Sequence, residues 1–97
     1  VAEGDLSPLS PAIGMAGAIA AARDAMGQIC AAPVDGVVRC DHLPEGGWAI
    51  VIEVIEVPAR MGDNDLLTAY EVRLDPAGQL CGFGRMGRYH REDAGAA

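Results

Sequence analysis

Residues 66–74, LLTAYEVRL, alternate without a break: Leu66, Thr68, Tyr70, Val72 and Leu74 fall on one side, and Leu67, Ala69, Glu71 and Arg73 on the other. That two-residue period predicts a half-buried strand. Trp48 to Val57 is almost entirely β-branched, with Trp48, Ile50, Ile52 and Val54 on one face and Val51, Glu53, Ile55 and Val57 on the other. Apolar residues on both faces predict a central strand or one covered by a partner. A weaker pattern through Val37 and Val38 predicts a further strand over Val34 to His42, joined to Trp48 by the hairpin loop Leu43-Pro44-Glu45-Gly46-Gly47. Asp75-Pro76-Ala77-Gly78 has the order of a type I turn closed by a left-handed glycine, so the last strand returns antiparallel and runs to about Arg91. Across that turn Leu74 meets Leu80 on the core face, while Glu71, Arg73, Cys81, Phe83 and Arg85 share the other, with Glu71 and Arg85 close enough to pair diagonally. Gly82, Gly84 and Gly87 lie inside this last strand; glycines there mark a bulge or a close approach, and the expected visitor is the N-terminal helix or Trp48.

Upstream the period changes. Ile19, Ala22, Met26 and Ile29 recur at three- and four-residue steps, with Met15 and Ala12 extending the stripe, while Arg23, Asp24 and Gln28 lie off it. One apolar helical face follows. Ser10 before Pro11 supplies a capping hydroxyl and a proline at the first helical position, so the helix is predicted from Pro11 to Cys30. Pro44, Pro58 and Pro76 fall between the strands, where a missing backbone donor does no harm. The predicted fold is α+β: one long N-terminal helix packed on a three- to four-stranded antiparallel β-meander. Residues 10–91 form its single domain, with flexible tails at residues 1–9 and 92–97.

Composition narrows the function. A chain of 97 residues, 51% hydrophobic and 22% charged, suits one globular domain with a modest stability margin. The Ala/Gly-rich run 12–22 stops at Arg23 and Asp24, well short of the roughly 18 to 20 apolar residues of a membrane span. No basic stretch precedes an apolar one as a secretory signal requires, so the expectation is a cytoplasmic protein without membrane insertion. Cys30, Cys40 and Cys81 are an odd set without a CxxC pair, which fits reduced packing thiols. A net charge of −7 argues against nucleic acid as a partner. The charges are nevertheless two-sided: acids crowd the middle of the chain, and Arg85, Arg88 and Arg91 sit on the last strand.

Reactive constellations are missing. No phosphate-binding glycine loop precedes a helix. Cys40-x-His42 offers two metal ligands where zinc takes about four, so no metal and no cofactor is expected. Nucleophilic catalysis needs a thiol or hydroxyl beside a base, and no spacing in the sequence pairs Cys30, Cys40 or Cys81 with His42 or His90. Glu53 and Glu56 are separated by an odd number of strand residues and face opposite ways, so they do not converge as an acid–base pair; Glu56, if it lies on the Trp48 face, must reach solvent or an arginine such as Arg60 or Arg88. The candidate binding surface is Arg85, Arg88, Tyr89 and Arg91, residue types enriched at interface hot spots. Glu53, Glu56, Glu71 and Asp65, the last at the end of an exposed loop from Ala59, are further candidates. A solvated edge that uses charge to deter strand pairing is the competing reading of the arginines.

Trp48, the Glu53–Glu56 pair, Tyr70-Glu71-Val72, Leu74-Asp75, Gly78, Arg85 and Arg88-Tyr89-x-Arg91 together resemble the gas vesicle protein O family. Phe83 stands where tyrosine is expected, and residues 59–65 replace an Arg-hydrophobe-Pro-Asp type of loop. The resemblance implies a non-enzymatic accessory protein for gas vesicle assembly or its regulation, working through contacts with other gas vesicle proteins, shell or accessory. Two other readings stand beside it: a small α+β ligand- or peptide-binding module with a pocket between helix and sheet, and a structural homodimer formed through the exposed face of Trp48 to Val57.

Overall fold

The computed structural model describes residues 12–95. A helix, α1 (Met15–Ile29), is followed by four strands, β1 (Val34–His42), β2 (Trp48–Val57), β3 (Leu66–Leu74) and β4 (Leu80–His90), and by a short 3-10 turn, Arg91–Gly95. All neighbouring strands are antiparallel, in the spatial order β1-β2-β3-β4. The sheet is therefore the four-stranded meander that the alternation and the turns predict.

The helix is shorter than expected. It has 15 residues and starts after Gly14, which gives no side-chain cap; the predicted start at Ser10 and Pro11 lies outside the described residues. Residues 12–14 are not helical, and the Ile13 backbone N–H donates to the Pro76 carbonyl at 3.0 Å, so the chain is tied to the β3–β4 turn just before the first helical residue. At the other end Cys30 is the cap in extended conformation, its N–H donating to Met26 O at 2.8 Å.

Ala18, Ala22 and Met26 of α1 are buried on Trp48, Ile50, Ile52, Val54, Val72 and Leu74, the predicted core face. Small alanines bring the helix axis close to the sheet, so the branched β2 side chains fill the space between the layers. Two hairpin turns and the helix entry meet at one end of the molecule. Gly46 (φ 105°) lies beside Pro76, and Gly78 (φ 93°) sits under Ile13 and Ala21. Asp75 Oδ1 accepts from the N–H groups of Ala77 and Gln79, both at 2.9 Å, and the Gly78 N–H donates to Asp75 O at 2.9 Å, which locks the predicted turn.

Leu74 does pair with Leu80, but β4 then departs from the expected faces. Register shifts against β3 leave Cys81 and Met86 unpaired as bulges, so that Phe83 faces Val72 and Arg85 faces Tyr70. The insertion at Cys81 reverses the side chains that follow until the insertion at Met86 restores the alternation: Phe83 and Arg85 join the helix side, Gly82 and Gly84 turn to the open face opposite Arg73 and Glu71, and Gly87 lies on that face opposite Ala69. The glycine row is not covered by helix or tryptophan. The stem of Arg73 lies over Gly82, and a β-carbon at Gly84 or Gly87 would meet nothing within 4 Å. Leu80, expected in the core, is 45% exposed.

Candidate interaction surface

The Arg88-Tyr89-x-Arg91 motif straddles the sheet. Arg88 is registered against Thr68 on the helix side, Tyr89 against Leu67 on the open face, and Arg91 follows the last residue of β4. Each arginine finds carboxylates within the chain. Arg88 Nη2 lies 3.0 Å from Glu56 Oε2, and the hydroxyl of the fully buried Thr68 donates to Glu56 Oε1. A bulge at Glu56, between the pairs Ile55–Leu67 and Val57–Leu66, accompanies this placement on the Trp48 side. The expected rescue of Glu56 by Arg88 is thus the one formed.

Arg91 is the larger node. Its Nη1 and Nη2 form a fork onto Asp35 at 3.3 and 2.8 Å, Nη2 and Nε reach Asp65 Oδ2 at 2.9 and 3.2 Å, and its backbone N–H donates to Asp65 O at 2.8 Å. Forked contacts of this kind need arginine's planar geometry. Asp35 is available because it bulges out of β1 between Val34 and Gly36. The node therefore ties the first strand to the end of the last. Asp65 Oδ1 also accepts from the Ala59 N–H at 2.7 Å, closing the loop after Pro58, and Asn64 Oδ1 accepts from the Glu92 N–H at 2.9 Å. The Ala59 N–H, then Arg91, hold the Asp65 carboxyl below its ordinary range, and Asp35 and Asp65 hold Arg91 firmly protonated.

Glu53 stands beside this node and is only 8% exposed. Burial, and secondarily Asp35, push its carboxyl upward against the opposing pull of Arg91. A raised carboxylate binds protons more readily folded than unfolded, so ionising Glu53 removes stability as pH rises from the ordinary glutamate range through its folded-state value. Glu53→Gln is expected to be more stable than the parent at pH 7, by an increment that shrinks as pH falls through the raised folded-state value and is mostly gone by about pH 4, where both side chains are neutral. Urea midpoints of the two proteins between pH 4 and 8 check this; an increment that grows on acidification would contradict it.

The remaining candidates are distributed more thinly. Glu71 Oε1 bonds Arg73 Nε at 3.1 Å on its own strand, not Arg85, because the Cys81 bulge carries Arg85 to the other face. Arg85 has no carboxylate partner among the described residues. It lies beside a stacked pair, Tyr70 and Phe83, with ring centroids 5.1 Å apart and planes 16° apart. Asp35 and Thr68, each decisive for an arginine or its partner, were not candidates from sequence: Thr68 is a plain core-face position in the alternation, and a bulge at Asp35 leaves no periodic sign.

The layer between helix and sheet is filled by the core. Beside it a cleft of about 400 Å³ opens along the flank of α1, bounded by Ala21, Ala25, Ile29, Gly78 and Leu80 with Asp24, Gln28 and Gln79 at the rim. No group of three or more His, Cys, Asp or Glu among the described residues is arranged to hold a metal ion. Among the same residues no helix is long and apolar enough to cross a membrane.

Fold and surface define a two-layer α+β domain whose motif arginines are built into structural ion pairs. The sequence matches the family described as "Gas vesicle synthesis protein GvpO" over residues 3–95, and the chain belongs to that family. It is 30% identical over 81 residues to gas vesicle protein O of Haloferax mediterranei, covering 84% of this chain and 58% of that protein. Against gas vesicle protein O1 of Halobacterium salinarum it is 30% identical over 91 residues, covering 94% and 76%. A Streptomyces gas vesicle protein O is 48% identical over 48 residues, covering 48% of this chain and 37% of that protein. No solved structure matches the chain.

Proposed function

We propose that this chain is a non-enzymatic accessory protein of gas vesicle assembly that works in the cytoplasm through contacts with other gas vesicle proteins, and that it keeps an apolar shell subunit from aggregating before incorporation. Membership of a gas vesicle synthesis family carries the pathway. The contact mode rests on one observation: the aromatic, cationic patch of Phe83 and Arg85 beside Tyr70 stays open on the helix side while Arg88 and Arg91 are held by Glu56, Asp35 and Asp65. Arg and Tyr with an exposed aromatic ring are the composition of an interface anchor. In this reading Arg85 contacts the partner directly. Arg88, Arg91, Glu56 and Asp65 brace the end of the sheet beside this patch, whereas Tyr89, Glu53 and Glu71 lie on the open face, away from it.

The layer beneath α1 is packed, so a ligand pocket between helix and sheet has less support than a surface contact. The test is genetic and biochemical together. Deleting the gene in its gas-vesiculate host is expected to abolish buoyancy and the pressure-sensitive turbidity of gas vesicles, and the purified chain is expected to bind at least one gas vesicle protein of that host. Normal vesicles in the deletion strain, or no binding to any of those proteins, would refute the proposal.

A further inference from the structure

The helix side of the sheet is only partly roofed. Four strands about 4.8 Å apart span roughly 14 Å between the outer axes, whereas one helix with its side chains is about 10 Å wide. α1 packs on β1, β2 and β3, and the β4 side chains on that face stay open: Leu80 is 45% and Phe83 41% exposed. Together with the cleft along the helix flank they make a trough. Its wall is Ala21, Ala25 and Ile29, and Leu80 and Phe83 continue its floor toward Arg85.

We infer that this trough seats an amphipathic helix of a different gas vesicle assembly protein, one that lays an apolar stripe on Leu80, Phe83 and Ile29 and presents carboxylates to Arg85. The inference rests on the accessory reading and adds the surface and the chemistry of the partner. Shape favours a helix, because the flank of α1 and the open Leu80 and Phe83 side chains give the trough an apolar wall and an apolar floor. Ala21 and Ala25, four residues apart, leave a shallow wall that lets a second helix approach closely. Charge makes the partner acidic: Arg85 has no carboxylate partner among the described residues, while its neighbour Arg88 is held by Glu56. An added strand fits poorly, since the bulges at Cys81 and Met86 interrupt the edge that it would pair with. A second copy of this chain also fits poorly. The apolar stripe of α1, Ala18, Ala22 and Met26, is already buried in its own core, and Asp24 is the only acid on that helix. The occupant is therefore a helix of another chain, docked in the helix-in-groove manner.

The experiment pairs the full chain with each purified gas vesicle protein of its host and measures Kd for the parent, Leu80→Glu, Phe83→Glu, Arg85→Glu and the control Arg39→Glu, whose residue sits on the opposite face of β1 against Val51. The three trough substitutions are expected to weaken binding about tenfold or more, and the control to leave it nearly unchanged. Arg85→Glu breaks no ion pair among the described residues, so it keeps the test decisive if an apolar substitution unfolds the chain. A photo-crosslinker at Gln28, on the rim, is expected to label partner residues spaced three or four apart. Full affinity in the trough variants, or labels that follow a two-residue period, would overturn the docking inference alone. Failure of the parent chain to bind any gas vesicle protein would overturn the accessory reading beneath it.

Discussion

Replacing Ile50 with alanine is expected to destabilise the domain by about 3 to 4 kcal/mol, the range for emptying a well-packed aliphatic site. Ile50 has no exposed surface and sits in the second strand of four, between Cys40 on β1 and Val72 on β3, beneath α1. Its neighbours are poorly able to collapse into the space. Two of the helical residues above the sheet are alanines, with no rotatable side chain to swing inward, and the flanking strands are held in register by the turn at one end and the Arg91 node at the other. A domain of this size has roughly 5 to 15 kcal/mol in total, so the change takes a large share of the margin. Urea unfolding reads it directly as a lower midpoint at constant slope. A loss under about 1 kcal/mol would mean that the helix settles onto the sheet and that the packing described here is looser than the burial indicates.

The sheet was legible because its signals are local. Leu66 to Leu74 carries an unbroken two-residue period, and Asp75-Pro76-Ala77-Gly78 encodes its own hydrogen bonds, so strand limits and turn geometry follow from short windows of sequence. The pairing of Glu56 with Arg88 was legible for a different reason: a carboxylate on the core face needs a cation, and few lie within reach. Bulges were not legible. Nothing in the composition of Cys81, Met86 or Asp35 states that one residue will drop out of register, yet those slips decide that Phe83 and Arg85 face the helix, that the glycines face away from it, and that Asp35 meets Arg91. The helix starts later than the local Ser-Pro signal predicts, and the tie just before it, Ile13 to Pro76, joins residues 63 apart in sequence, which no short window of sequence reveals.

These slips also change what the arginine motif can do. Read as a uniform strand, Arg85, Arg88, Tyr89 and Arg91 make one basic edge. In three dimensions two of the three arginines brace the far end of the sheet, and substituting either leaves carboxylates without their counter-charge. Charge reversal at Arg88 or Arg91 consequently mixes folding with binding. Arg85, by contrast, separates the two.

Gly47→Ala is expected to cost about 3 kcal/mol, at the upper end of what overpacking does. Gly47 is buried at the β1–β2 hairpin, and a β-carbon there would overlap the Leu74 carbonyl oxygen, with the Leu74 carbonyl carbon and Asp75 Cα at 3.4 and 3.5 Å. Backbone has no rotamer to yield. To admit one methyl group the hairpin must lift away from β3 where Trp48 pairs with Leu74, and where Gly46 packs on Pro76 and Ile13 bonds to its carbonyl. Helix entry, hairpin and turn are thus disturbed together, and the melting temperature is expected to fall on the order of 15 °C, given about 4 to 8 °C per kcal/mol for domains near this size. Gly84→Ala is the internal control: its β-carbon meets nothing within 4 Å, and replacing glycine inside a strand lowers the entropy of the unfolded chain, so neutrality or slight stabilisation is expected there. Equal melting temperatures for the two alanine variants would contradict the contact that joins both hairpins.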